Sequence, residues 1–194
     1  MDIQQNDPRF SEMQNIKRRF FALRNGVIAD RLRTAGDPHR IVFGLTLPQL
    51  AEVAAASPHD NHLAQMLWDN DTTRESRLLA PMLADADTFD CETARAWVES
   101  LKGAEEADIL CHKLLRHLTF AIELVDRYAD RNDNALLRYL SIRLAFNLIY
   151  KADGATRNHI GSLAAAEQQR HDPMTRFVAT QLAEEIEFLN EQRQ

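Results

Sequence analysis

The sequence has only two cysteines in 194 residues, Cys91 and Cys111. That is too few for a disulfide framework, and the expectation is two buried free thiols in a reducing compartment. Glycine and proline are also sparse, at six each, which excludes collagen-like and low-complexity sequence. No run of 18 apolar residues occurs, and the opening MDIQQNDPRF has neither a basic nor an apolar signal region. A cytoplasmic chain with no membrane partner is expected. Alternating β-branched segments between tight turns are missing as well, so no sheet is expected. Walker loops, dinucleotide fingerprints and nucleophile elbows do not occur, which leaves hydrolase and nucleotide chemistry without support. His59 and His62 stand three apart without a third ligand, and Cys111 and His112 are neighbours that point in different directions on a helix. No metal and no cofactor are expected.

What is present is ordinary globular sequence, 45% hydrophobic and 27% charged. The length suits one domain over residues 1–194, long enough to bury a core without staples. The net charge of −6 is unevenly spread. Residues 1–50 carry 8 basic and 5 acidic side chains, residues 51–112 carry 4 and 13, residues 113–176 carry 10 and 7, and the last 18 carry 1 and 4. The overall acidity opposes long-range capture of DNA, while the two basic segments can still present a local face to phosphates.

Helical periodicity runs through almost the whole chain. A first helix is expected from about Pro8 to Arg24, with Phe10, Met13, Ile16, Lys17, Phe20, Phe21 and Leu23 as its apolar stripe and Gly26 beyond its end. A short helix follows over Val27 to Thr34, then a loop over His39 to Leu45. Thr46 reads as the cap of the next helix, and Ser57-Pro58 as its end and the start of another. Asp71 or Thr72 then caps Arg74 to Leu83, with Thr72 and Glu75 at capping-box spacing. Later helices are expected near 91–101, 104–119, 120–129, 135–151, 156–169 and 174–188. About ten short helices with brief connections suit a solenoid of helical hairpins, with a compact bundle as the alternative. The expected fold class is all-α.

Three stretches carry a family likeness: Ile41-Val42-Phe43-Gly44-Leu45-Thr46-Leu47-Pro48-Gln49-Leu50, Leu67-Trp68-Asp69 and Arg74-Glu75-Ser76-Arg77-Leu78-Leu79-Ala80. In order and spacing they resemble the N-terminal half of the HEAT-like alkylpurine DNA glycosylases of DNA alkylation repair. The resemblance implies a HEAT-like solenoid of antiparallel helix pairs. Read physically, Gly44 permits a sharp turn after Phe43, Trp68 packs between hairpins, and Arg74-Glu75 ties one hairpin to its neighbour.

The resemblance also implies a chemistry. Such enzymes use an aspartate to stabilise positive charge on the sugar, and tryptophans whose faces favour a cationic base. The aspartate is expected at Asp108, in the stretch Lys102 to Leu110. Where tryptophans would stand, this chain has Ala104 or Glu105, and Thr180. Glu105 and Glu106 would add negative charge beside Asp108. A plain solvated acid in the first turn of a helix is the competing reading of Asp108. Arg138 and Arg143 lie where the family presents phosphate-binding arginines, with a surface or inter-repeat role as the competing reading for Arg138.

The resemblance therefore implies an alkylation-repair-like protein that binds duplex DNA through its phosphates, with most base-excision residues missing. The alternative is a protein-binding scaffold whose partner sits on a concave face. A third reading is a retained glycosylase using Asp108, with Trp97 as a substitute aromatic wall.

Overall fold

The computed structural model describes residues 8–192. Residues 1–7, and with them most of the opening segment read above, lie outside the described part, as does the side chain of Phe10. Among the described residues there are eleven α-helices: α1 (Pro8–Leu23), α2 (Gly26–Thr34), α3 (Leu47–Ala55), α4 (Asn61–Asp69), α5 (Arg74–Leu83), α6 (Cys91–Glu99), α7 (Ala104–Lys113), α8 (Ala121–Ala129), α9 (Ala135–Leu148), α10 (Gly154–Gln169) and α11 (Arg176–Glu191). A single 3-10 turn, Leu115–His117, follows α7. The only extended pairing among them is an isolated bridge between Ile41 and Thr73. The fold is all-α, and its helices pack in neighbouring pairs as helical repeats do. The chain forms two compact units, Met1–Phe89 and Asp90–Gln194.

In the first unit α4 packs along α5, α3 along α5, and α1 against α3 and α4. The α1 stripe is narrower than its sequence suggests: Met13, Ile16 and Phe20 are buried, while Lys17 and Phe21 face solvent. A 3.6-residue period carries a stripe at i, i+3 and i+7 inward, and positions 17 and 21 fall off its edge.

The loop before α3 is held by buried charge. Asn25 caps α2 by accepting from Val27 and Ile28 N–H, and its own N–H donates to the Phe43 carbonyl at 2.8 Å. Gly44 then turns at φ +80°; a Cβ there would lie 2.3 Å from the Asn25 carbonyl oxygen and 2.7 Å from Ala29 N. Only glycine fits that close approach in the left-handed region. The Glu75 carboxylate, fully buried, accepts the N–H groups of Phe43 (3.0 Å), Gly44 (2.9 Å) and Leu45 (3.3 Å). Arg74 donates to Glu75 at 3.1 Å and to the Leu45 carbonyl at 3.2 Å, and its Nε stands 3.6 Å from Asp37. The capping box expected between Thr72 and Glu75 is therefore not formed: α5 is capped at Thr73, and Glu75 serves the loop instead. An inward carboxylate gains more from three N–H donors and an arginine than from one N-cap bond. The Thr46 cap does form, with the Gln49 side chain accepting from Thr46 N–H at 2.9 Å. Trp68 is core, and the buried Arg77 guanidinium lies 3.5 Å from its ring centroid.

In the second unit α8 pairs with α9, α10 with α11, and α7 and α11 also pack on α9. Leu110, Leu114, Leu115, Leu124, Val125, Leu140, Leu144 and Leu182 are fully buried there. Trp97 is 1% exposed, so it belongs to the core and cannot wall a base-binding site. Of the cysteines, Cys111 is buried but Cys91, at the first position of α6, is only half-buried. Its exposure corrects the expectation of two buried thiols.

Glu75→Ala should lower stability by about 3–5 kcal/mol, because it leaves three backbone donors without their acceptor and takes one carboxylate from a buried guanidinium. Denaturant titration checks this, and a loss under about 1 kcal/mol would show that the loop holds without the carboxylate.

Candidate functional site

Asp108 does not sit in the first turn of α7 as a solvated acid. It lies in the second turn, half-buried, facing α9. Its Oδ1 accepts from the Tyr139 hydroxyl at 2.8 Å and from Arg143 Nε at 2.7 Å. Tyr139 and Arg143 are four apart on α9 and so project from the same helix face. Asp108 Oδ2 and both terminal nitrogens of Arg143 have no hydrogen-bond partner among the described residues. The side chains of Arg143 and Asp108 keep 30% and 34% exposure. The arrangement leaves one carboxylate oxygen and one guanidinium edge facing outward, each already oriented.

The cross-helix register is regular. Asp108 meets Arg143, and one turn on His112 Nδ1 stands 3.3 Å from Asn147 Oδ1, with the same offset of 35 positions. Contacts that advance together along both helices mean that α7 and α9 run in the same direction, with α8 between them in the chain. Beneath this row lies Cys111, whose Sγ contacts the Leu140 carbonyl at 3.6 Å. Burial, and then the nearby Asp108 charge, push its thiol far above the usual range, so it is an inert neutral group.

Arg138 is placed differently from Arg143. It is buried, donating to Glu167 (3.1 Å), Asp172 (2.5 Å) and the Arg131 carbonyl (2.8 Å). Glu167 also accepts from the Thr175 hydroxyl at 2.6 Å and pairs with Arg170 at 3.1 Å. This network ties α9 to the end of α10 and the start of α11. Glu106 is likewise turned inward, accepting from Lys102 N–H at 2.9 Å, so its charge does not lie on the surface beside Asp108 as the sequence suggests. Ala104, Glu105 and Thr180 are all half-buried, and none supplies an aromatic face. Thr180 instead accepts from Gln168 at 3.5 Å. The sequence reading missed Tyr139, whose position four before Arg143 was its only signal. Among the described residues no group of three or more His, Cys, Asp or Glu could hold a metal ion, and no helix is long and apolar enough to cross a membrane.

Two measurements follow. Arg138→Ala should cost about 3–5 kcal/mol in denaturant unfolding by removing the buried cation that Glu167 and Asp172 share, whereas Arg143→Ala, at a half-exposed pair, should cost about 1 kcal/mol or less. Equal costs would contradict this division. The three tyrosines supply the other. Burial, reinforced by Asp108, raises Tyr139; burial and Glu99 raise Tyr128; burial and Glu185 raise Tyr150. Each folded phenol holds its proton more tightly than the unfolded one, so this stabilisation is complete below the ordinary value of 10.0 and is lost as pH rises through the folded values. Phenolate absorbance of the native protein should therefore rise at higher pH than that of the denatured chain, and coincident curves would refute it.

Among known families, the model described as DNA alkylation repair enzyme matches residues 16–176, a span that reaches well into both compact units. No curated protein and no solved structure gives a significant match. The match covers most of the chain, and the protein belongs to the DNA alkylation repair enzyme family.

Proposed function

We propose that this protein is a cytoplasmic HEAT-like alkylation-repair protein that binds duplex DNA through its backbone phosphates, and whose base-excision apparatus is reduced to Asp108. On this reading the chain from residue 1 to 194 works as one domain, which the family match across both units supports. The observation that carries the reading is the division of labour at Arg143. Its Nε is held by Asp108, while its two terminal nitrogens are unclaimed among the described residues. A guanidinium anchored at one edge loses little further freedom when its other edge grips a phosphate. Arg138 supports this indirectly, because its carboxylate ties hold α9 in place.

Excision chemistry follows from what remains. An alkylated purine that carries positive charge is already a good leaving group, so the task left is to stabilise charge growing on the sugar. Asp108 Oδ2 has the charge and the exposure for that role. No cofactor is called for. Without aromatic faces at Ala104, Glu105 or Thr180 the cationic base is not gripped, and excision is slow at best.

A protein-binding scaffold is the competing reading. Phe177 and Phe188 on α11, 72% and 52% exposed, favour it for that helix.

Duplex binding measured against salt concentration separates the two. Wild type should show a steep negative dependence, and Arg143→Gln should weaken binding and flatten the slope by about one phosphate contact. A flat salt dependence in the wild type would exclude phosphate contacts. If any methylated purine is released from treated DNA, Asp108→Asn should abolish that release, and release unchanged in the variant would remove Asp108 from the chemistry.

A further inference from the structure

The row that begins at Asp108 continues into one arginine and two histidines whose hydrogen-bond partners, among the described residues, include no carboxylate. Arg116, in the 3-10 turn after α7, donates from Nε to His117 Nε2 at 3.1 Å, and its Nη1 stands 3.3 Å from His112 Nδ1. No carboxylate pairs with Arg116 among the described residues; its only partners there are imidazole nitrogens. A guanidinium has donors and no lone pair, so His117 Nε2 is the acceptor where the two meet.

His112 is poised between two partners. Asn147 is oriented by its Nδ2, which donates to the Arg143 carbonyl at 2.7 Å, and this turns Oδ1 toward His112 Nδ1 at 3.3 Å. The same ring nitrogen thus faces a donor, Arg116, and an acceptor, Asn147. Without a proton it accepts from Arg116. With one it donates to Asn147 and repels Arg116.

We propose that His112, Arg116 and His117 form a second phosphate subsite for duplex DNA, one that opens as the two imidazoles take up protons. The proposal rests on the DNA reading above and adds to it a proton linkage. Each imidazole binds one proton from solvent at the nitrogen that had accepted from Arg116. The guanidinium is released, and three positive groups then face outward where one did before.

The surroundings fit. His117 is held below the ordinary histidine value by burial first and then by Arg116, Lys151 and His112. All three neighbours are cations or potential cations, so a bound phosphate would supply the missing negative charge and pull the proton on. On α7, Asp108 is engaged by Arg143 and Tyr139. On α9, the facing residue is the neutral Asn147. On α8, which also packs against the turn, Asp126 is engaged by His159 at 2.6 Å and Glu123 is exposed without a partner among the described residues.

The sign is fixed by this arrangement. A phosphate beside the protonated imidazoles favours proton uptake, so the extra affinity is gained as pH falls and lost as pH rises. A rise of one unit in a group's pKa corresponds to about tenfold in affinity for each proton taken up.

The test is binding of a short DNA duplex at constant ionic strength between about pH 5.5 and about pH 8, the range in which histidine titrates. Wild-type affinity should tighten by about tenfold or more toward the acid end. The double variant His112→Gln/His117→Gln should lose most of that slope, and Arg116→Gln should weaken binding chiefly at low pH. Ring-proton NMR of the intact chain should show the His117 titration moving upward when duplex is added and the His112 ring signals shifting with it, with inorganic pyrophosphate as the comparison probe. An unchanged pH slope in the double variant would overturn the proposal, as would imidazoles that respond to pyrophosphate but not to duplex. Should Arg143→Gln still weaken duplex binding when the double variant keeps the wild-type slope, the DNA reading survives and only this subsite falls.

Discussion

The functional reading depends on the register between α7 and α9. Because the two helices run in the same direction, each turn of one meets the corresponding turn of the other, and positions 35 apart face each other at Asp108 and Arg143 and again at His112 and Asn147. A slip of one residue would rotate each side chain by about 100° and separate every pair. The core beneath opposes such a slip, since Leu110, Leu140 and Leu144 are buried without remaining exposure. Apolar packing thus sets the geometry of the polar row on which the proposed function rests.

Charge is used in two ways in this chain. Where carboxylates and arginines are fully buried, as at Arg74 and Glu75 or at Arg138 and Glu167, the donors and acceptors of each are turned toward protein. Such groups hold loops and helix ends and have little left to offer a ligand. Where the pair is half-exposed, as at Asp108 and Arg143, one side of each group is committed and the other is not. The same residue types therefore divide by burial into scaffold and candidate site.

Helix positions were largely legible in the sequence because their signals are local: Pro8 opens α1, and Thr46 with Gln49 caps α3 within one turn. The all-α class followed from periodicity over many segments. What could not be read was which end of each polar side chain would find a distant partner. Glu75 had the spacing of a capping box, yet it turned to residues more than thirty positions earlier. Arg138 and Arg143 looked alike on one helix and differ by little more than one turn, but one points into carboxylates and the other to an outer edge. Tyr139 carried no signal of its own. These outcomes depend on tertiary register, which one sequence without a visible repeat does not display.

The tryptophans have a consequence of a different kind. There are only two, and they fall one to each compact unit: Trp68 lies under the Arg77 guanidinium in the first, and Trp97 is enclosed in the second. A cation stacked on an indole alters its emission, and an enclosed indole changes its emission when water reaches it. The molecule therefore contains two intrinsic optical probes, one per unit, which report unfolding without any label.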